Sequence, residues 1–206
     1  MILLMEKQFI NEQDLLEDSF RLAVEIYNSG FRPDVIVGLW RGGSTVGIYV
    51  QECLQYLGVK TRHIAVRTSY EGAASYRKMR EERHAISVHG MQYLYETLEH
   101  NDNLLIVDDV YSSGSNIEAV LGKLSAKIKR NMPEDTRVAT LWQRIGKNRT
   151  TREPDYCLHQ TENWLVLPYE LTGLTRAGIR SGKAYLEPII KDVRNNLPAN
   201  FTDPNV

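Results

Sequence analysis

Residues 104–116 read Leu-Leu-Ile-Val-Asp-Asp-Val-Tyr-Ser-Ser-Gly-Ser-Asn, and no other stretch limits the possible folds as tightly. Four consecutive apolar residues, Leu104 to Val107, describe a strand buried on both faces of a parallel sheet. Asp108 and Asp109 follow at its carboxyl end, where open α/β sheets place their ligands. Ser112 to Asn116 are small and polar, and the amphipathic run Ile117 to Ile128 comes next, so they form a turn into a helix. Backbone N–H groups and small hydroxyls at a helix start make a cradle for phosphate. Acid pair, phosphate turn and helix in this order point to a sugar-phosphate site with a metal nearby. A Walker-B-like strand end or a plain acidic loop fits the same residues. No G-x-x-x-x-G-K-[ST] stretch occurs, which argues against a P-loop nucleotide site.

The rest of the chain alternates strands with helices. Leu15, Leu16, Phe20, Ala23, Val24 and Tyr27 recur at helical spacing between Glu12 and Asn28, and Ser29-Gly30 ends the pattern. Strands are expected near 35–39, 61–67, 104–108 and 138–142, with a further one over 155–159. Helices are expected over 45–56, 91–98 and 117–128. The first strand ends in Trp40-Arg41-Gly42-Gly43-Ser44, a second strand, glycine turn, helix unit. Gly42 and Gly43 would permit a backbone conformation that side chains forbid and a close approach to a ligand. The fold class that follows is α/β, a mostly parallel sheet flanked by helices.

The stretch 104–116 resembles the signature of the type I phosphoribosyltransferases, which bind phosphoribosyl pyrophosphate (PRPP). That signature is a hydrophobic run, two acids, two mostly apolar residues and a short Thr/Ser/Gly-rich turn. The resemblance covers roughly residues 33–170, is strongest at 104–116, and implies that family's fold with a small hood subdomain in a single domain spanning 1–206. It would put Asp108 and Asp109 by the ribose hydroxyls and Mg²⁺, and Ser112, Ser113, Gly114, Ser115 and Asn116 on the 5′-phosphate. Arg41, Gly42 and Gly43 would hold pyrophosphate, with a cis peptide at Trp40–Arg41. Asp109, Ser112 and Arg41 are the positions nearest the chemistry.

Within the family the chain is most similar to the 6-oxopurine (hypoxanthine, guanine, xanthine) branch. Arg144 stands where that branch has a Lys donating to the purine O6, a departure that keeps a donor but changes its reach. Trp164 would stack on the base, Leu165 would read the base edge through its backbone, and Glu170 would be a further Mg²⁺ carboxylate. Ser69 and Tyr70, in a small, polar stretch from Thr68 to Tyr76, match a Ser-Tyr pair in the loop that closes over the active site. One departure concerns the chemistry directly. The third acid of the signature, which relays the N7 proton, is replaced by Ser112, and serine alone is a poor general base at pH 7. Three explanations stay open: a base that arrives already anionic, a proton taken by water or a loop carboxylate such as Glu71, and weak or lost catalysis.

The implied activity is Mg²⁺-dependent transfer of a phosphoribosyl group from PRPP to a 6-oxopurine. The alternatives are an orotate or adenine enzyme, or a regulator that binds PRPP or nucleotide without turnover. Composition agrees with an ordinary globular chain: 206 residues, 42 % hydrophobic, 25 % charged, net charge −1. That balance gives no reason to expect nucleic acid or an anionic membrane as partner. Only two cysteines occur, Cys53 and Cys157, read as free thiols of a reducing compartment. The opening Met-Ile-Leu-Leu-Met run is too short for a signal segment and no run of 18 apolar residues occurs, so a cytoplasmic protein is expected. Many members of the family form dimers or tetramers, which makes a homo-oligomer the expectation. His84 and His89, five apart in a stretch expected to be a loop, do not have metal-ligand spacing. A closing helix is expected near 185–193, and a frayed end from Pro198.

Overall fold

The computed structural model describes residues 7–70, 86–171 and 174–190. Glu71 and the rest of the loop to Tyr76, the charged run with His84, the opening Met-Ile-Leu-Leu-Met run and the tail from 191 lie outside the described residues.

Residues Glu12–Asn163 form one compact unit around a six-stranded sheet. Its strands are β2 (Val35–Trp40), β3 (Arg62–Tyr70), β4 (Ile86–His89), β5 (Leu104–Tyr111), β6 (Thr136–Arg144) and β7 (Tyr156–Thr161). The order is β4-β3-β2-β5-β6-β7, with every pair parallel except β3–β4, so the antiparallel strand lies at an edge. Among the described residues the unit also has helices α1 (Glu12–Asn28), α2 (Gly42–Tyr56), α3 (Gln92–Thr97) and α4 (Ser115–Ile128), the last followed by a 3-10 turn at Lys129–Asn131.

The apolar runs are continuous because the central strands are covered on both sides. Val35, Val37, Leu39, Leu104 and Ile106 face a core shared with Leu94, Leu98, Ile117, Val120 and Leu124 of α3, α4 and the α3 end. Their neighbours Ile36, Leu105 and Val107 are fully buried on the opposite face, where α2 packs on β2 and β5. The α1 helix is tied to β7 through the buried side chain of Asp18. Asp18, 7 % exposed, takes Arg21 Nη1 at 2.6 Å and lies 2.7 Å from His159 Nε2, whose ring stacks on Trp142 at 4.4 Å.

The second compact unit comprises β1 (Lys7–Phe9) and the chain from Trp164 onward. There β1 pairs in parallel with β8 (Trp164–Val166), and α5 (Arg176–Gly182) begins at Thr175, whose Oγ1 accepts from the Gly178 N–H at 3.1 Å. Its core is Val166, Leu174 and Ile179, with Phe9, Trp164 and Leu186 against it. Among the described residues no helix is long and apolar enough to cross a membrane.

Several sequence expectations are corrected. Strand β5 does not stop at the acids: it continues to Tyr111, because Val110 and Tyr111 pair with Trp142 and Gln143 of a β6 that is itself longer than expected. Strand β3 runs to Tyr70, so Thr68 and Ser69 belong to a strand rather than a loop, and Ser69 pairs with Ser87. His89, expected in a loop, lies in β4 with its Nε2 3.0 Å from Ser69 Oγ. Helices α2 and α4 start at Gly42 and Ser115, earlier than their apolar residues announce. Near the end of the described chain, by contrast, the closing helix expected near 185–193 is present as far as the described residues reach: a 3-10 turn at Ala184–Leu186 leads into helical residues 187–190.

Candidate active site

The acid pair sits in the last stretch of β5. Asp108 Oδ1 accepts from the Asp109 N–H at 3.1 Å, and Asp109 Oδ1 accepts from the Val110 N–H at 2.9 Å. Burial, and then the neighbouring Asp109 charge, hold the Asp108 carboxyl well above the usual carboxylate range. A second strand steadies the pair: Thr140 of β6, fully buried, bonds through Oγ1 to Asp109 O at 3.1 Å. Thr140 was invisible as a site residue because a threonine in an apolar strand reads simply as β-propensity.

Two helix starts flank this strand. The Trp40–Arg41 peptide is cis, and Arg41 is exposed at the N-cap of α2. Gly42 and Gly43 are helical with no positive φ, so the expected unusual backbone conformation is absent there. Close approach is what Gly43 provides. A Cβ at that position would overlap Val107 O and stand 2.8 Å from Asp108 Cα and 3.1 Å from Asp108 Oδ1. The first turn of α2 therefore lies directly on the acid-bearing backbone. Behind it, His63 of β3 fills a slot between Gly38 and Gly47: its Nε2 would be 2.8 and 2.9 Å from a Cβ on each. That nitrogen is buried without a hydrogen-bond partner, and burial lowers the pKa of the ring.

The turn Ser112–Asn116 has its left-handed residue at Gly114, φ 74°, directly before α4. The Ser115 N–H reaches Ser113 Oγ at 3.3 Å, and Asn116 Oδ1 is buried without a partner. Tyr111 supports the turn from inside the core, being 1 % exposed. Ser112 is partly exposed in the same turn. Arg144, at the end of β6, is 6 % exposed. Thus Arg41, Gly42, Gly43, Asp108, Asp109, Ser112–Asn116 and Arg144 all belong to the carboxyl ends of β2, β5 and β6 or the helix starts that follow, in the unit 12–163. Ser69 is on β3 of that unit, and the Tyr70 backbone ends the strand.

Trp164, Leu165 and Glu170 belong to the other unit. Trp164 is partly buried against that unit's apolar core, paired with Lys7 in the β1–β8 ladder. Leu165 is buried beside it. Glu170 Oε2 accepts from the Leu167 N–H at 3.1 Å. Close by, Lys183 is 3 % exposed and its Nζ donates to Leu167 O and Pro168 O, each at 2.6 Å. Burial lowers the Lys183 pKa, with the Glu170 charge opposing it.

Among the described residues no three His, Cys, Asp or Glu side chains converge as a ligand set. The donor chemistry of the acid pair still fits Mg²⁺. It offers adjacent hard oxygen donors, and a bound cation would offset the burial and mutual repulsion that disfavour the charged form of Asp108. Mg²⁺ takes one or two carboxylates and fills its other positions with water and substrate oxygens.

A family model described as the phosphoribosyl transferase domain matches residues 7–171. The chain belongs to this family. Transfer of a phosphoribosyl group is accordingly the reaction class of the fold around β5. Among solved structures, a purine phosphoribosyltransferase from Pyrococcus horikoshii is 24 % identical, covers 84 % of this chain and 99 % of its own, and superposes with a TM-score of 0.61. A hypothetical protein from Neisseria gonorrhoeae with bound ppGpp is 20 % identical at TM-score 0.63, covering 82 % and 91 %. The xanthine-guanine-hypoxanthine phosphoribosyltransferase of Helicobacter pylori is 18 % identical at TM-score 0.59, covering 81 % and 95 %. At these identities the likeness is one of fold. No curated protein matches the chain.

Proposed function

We propose that the chain is a purine-salvage enzyme. It would transfer the phosphoribosyl group of PRPP to a 6-oxopurine with Mg²⁺, giving a purine nucleoside monophosphate and pyrophosphate. The observation that carries this reading is the seat of Gly43 on Val107 and Asp108, which brings the first turn of α2 onto the backbone of the acid pair. In this reading the backbone N–H groups of Gly42 and Gly43 and the Arg41 guanidinium bind the departing pyrophosphate, with no reorganisation needed as its charge develops. Asp108 and Asp109 accept from the ribose hydroxyls and orient C1′. Ser112, Ser113, Gly114, Ser115 and Asn116 hold the 5′-phosphate, fixing the sugar for in-line approach of the base. Arg144 donates to the exocyclic oxygen of the purine, while Trp164 stacks on the ring and the Leu165 backbone reads its edge. Ser69 and Tyr70 take part in covering the site. Asp108, Asp109 and Glu170 are the carboxylates assigned to Mg²⁺, which when bound supplies charge neutralisation for pyrophosphate.

The purine branch is supported by the names of the Pyrococcus and Helicobacter structures and by a buried cationic side chain at the end of β6. Ser112 favours a base that is already anionic, since no carboxylate stands there to accept a proton. The same serine favours a second reading, a PRPP- or nucleotide-binding regulator without turnover. We further propose a cytoplasmic homo-oligomer, a dimer or tetramer, that acts on small molecules and uses neither nucleic acid nor membrane.

The deciding experiment supplies PRPP and Mg²⁺ with hypoxanthine, guanine, xanthine, adenine and orotate in turn. Turnover with one or more 6-oxopurines supports the proposal, and xanthine alone would mark the anionic-base route. Turnover with orotate or adenine only refutes the purine assignment. Tight PRPP binding without turnover on any base refutes the enzyme in favour of the regulator.

A further inference from the structure

The connection from β6 to β7 folds back onto the phosphate turn. The Arg149 N–H donates to Ser113 O at 3.0 Å. Tyr111 Oη donates to Arg152 O at 2.5 Å and lies 3.2 Å from Thr150 Oγ1. Asn148 closes the segment on itself: its Nδ2 donates to Arg152 O at 2.8 Å, and its Oδ1 accepts from the Thr150 N–H at 3.0 Å. A Cβ on Gly114 would overlap Tyr111 Oη and come within 2.5 Å of Thr150 Oγ1, so Thr150 rests against the left-handed residue of the turn. These contacts fix the segment to the turn rather than leaving it a solvated loop.

The turn itself carries no cation. Ser112 to Asn116 offer hydroxyls, an amide and backbone N–H groups, and the charges along the chain on either side are Asp108, Asp109 and Glu118. A phosphate dianion held there lacks a counter-charge from its own loop. The latched segment brings one: Arg149 is exposed, and its backbone is hydrogen-bonded to the middle of the turn. Arg152, two residues beyond Thr150, reaches Thr136 O at 3.3 Å and Asp155 at 3.8 Å. A guanidinium matches phosphate oxygens two at a time and stays charged at every working pH.

We propose that Arg149 binds the 5′-phosphate of the phosphoribosyl substrate, with Tyr111 as the positioning residue that latches its segment to the turn. This inference rests on the assignment of Ser112–Asn116 as the phosphate turn.

The test is calorimetric titration of PRPP, ribose 5-phosphate and pyrophosphate into the unaltered chain and into Arg149→Ala, Arg149→Lys and Tyr111→Phe. Each variant is first shown by its thermal melt to be folded. Arg149→Ala is expected to weaken PRPP and ribose 5-phosphate by about tenfold or more, the loss of a charge-assisted contact, and to leave pyrophosphate within about twofold. Arg149→Lys should recover part of the loss. Arg149→Ala made in the Tyr111→Phe background should cost less than in the unaltered chain, since the guanidinium is then no longer held in place. Unchanged affinity of Arg149→Ala for ribose 5-phosphate, or an equal loss for pyrophosphate, overturns the inference while leaving the proposed function standing. If the unaltered chain binds neither PRPP nor ribose 5-phosphate, the function reading falls and takes the inference with it.

Discussion

Gly43 has no room for a side chain against Val107: a Cβ would overlap the Val107 carbonyl oxygen, with Asp108 Cα 2.8 Å away. The obstruction is backbone, which cannot step aside as a flexible side chain would. Helix α2 and strand β5 are thereby locked at the point where pyrophosphate and ribose are proposed to meet.

Gly43→Ala should therefore act on stability and site together. Overpacking of this kind costs about 1–3 kcal/mol. At roughly 2–4 °C per kcal/mol for a chain of this size, a thermal melt should show a clear fall in Tm. PRPP affinity should fall as well. An unchanged melting temperature would mean that the helix start can ride up without cost.

Gly114→Ala should be destabilising for a different reason. Its φ of 74° is strained for any side chain, and the new Cβ would run into Tyr111 Oη. The left-handed conformation alone costs about 1–2 kcal/mol. Tyr111→Phe removes the obstructing oxygen, so the double variant should lose less than the sum of the two single ones. Strict additivity in denaturant melts would contradict the packing described around the turn.

His63 should make stability depend on pH. Burial between Gly38 and Gly47 lowers its pKa below the 6.5 of a free imidazole. The unfolded chain then binds the proton more readily than the folded one, so stability falls as acid protonates the unfolded ring. The contribution is fully present above about pH 6.5 and is lost as pH drops through the lowered value. His63→Gln should show a flatter pH profile than the unaltered chain between pH 7.5 and 5. Parallel profiles in urea denaturation would refute it.

The sheet and the strand-end site were legible because they rest on long signals. Leu104–Val107, the acid pair and a glycine-marked turn keep their meaning without tertiary context, and Val35–Leu39 with Val138–Trp142 supply the neighbours. What escaped reading depends on pairing or packing. Val110 and Tyr111 extend β5 only because β6 lies alongside, and the short β4 and β1 exist as strands only through β3 and β8. Gly43 looks like a conformational glycine in sequence and proves to be a steric one. Thr140, His63 and the Tyr111–Arg152 latch carry no local signature, since each acts across elements distant in the chain.

The most direct trial of the account is pyrophosphate release from PRPP and Mg²⁺ with hypoxanthine, guanine or xanthine, run side by side on the unaltered chain and Asp109→Asn. The account predicts release that requires a 6-oxopurine and falls by about a hundredfold or more in Asp109→Asn, with the melting curve of the variant still cooperative. Equal release by the two proteins would contradict the role given to the acid pair, and no release with any of these bases by the unaltered chain would contradict the proposed reaction itself.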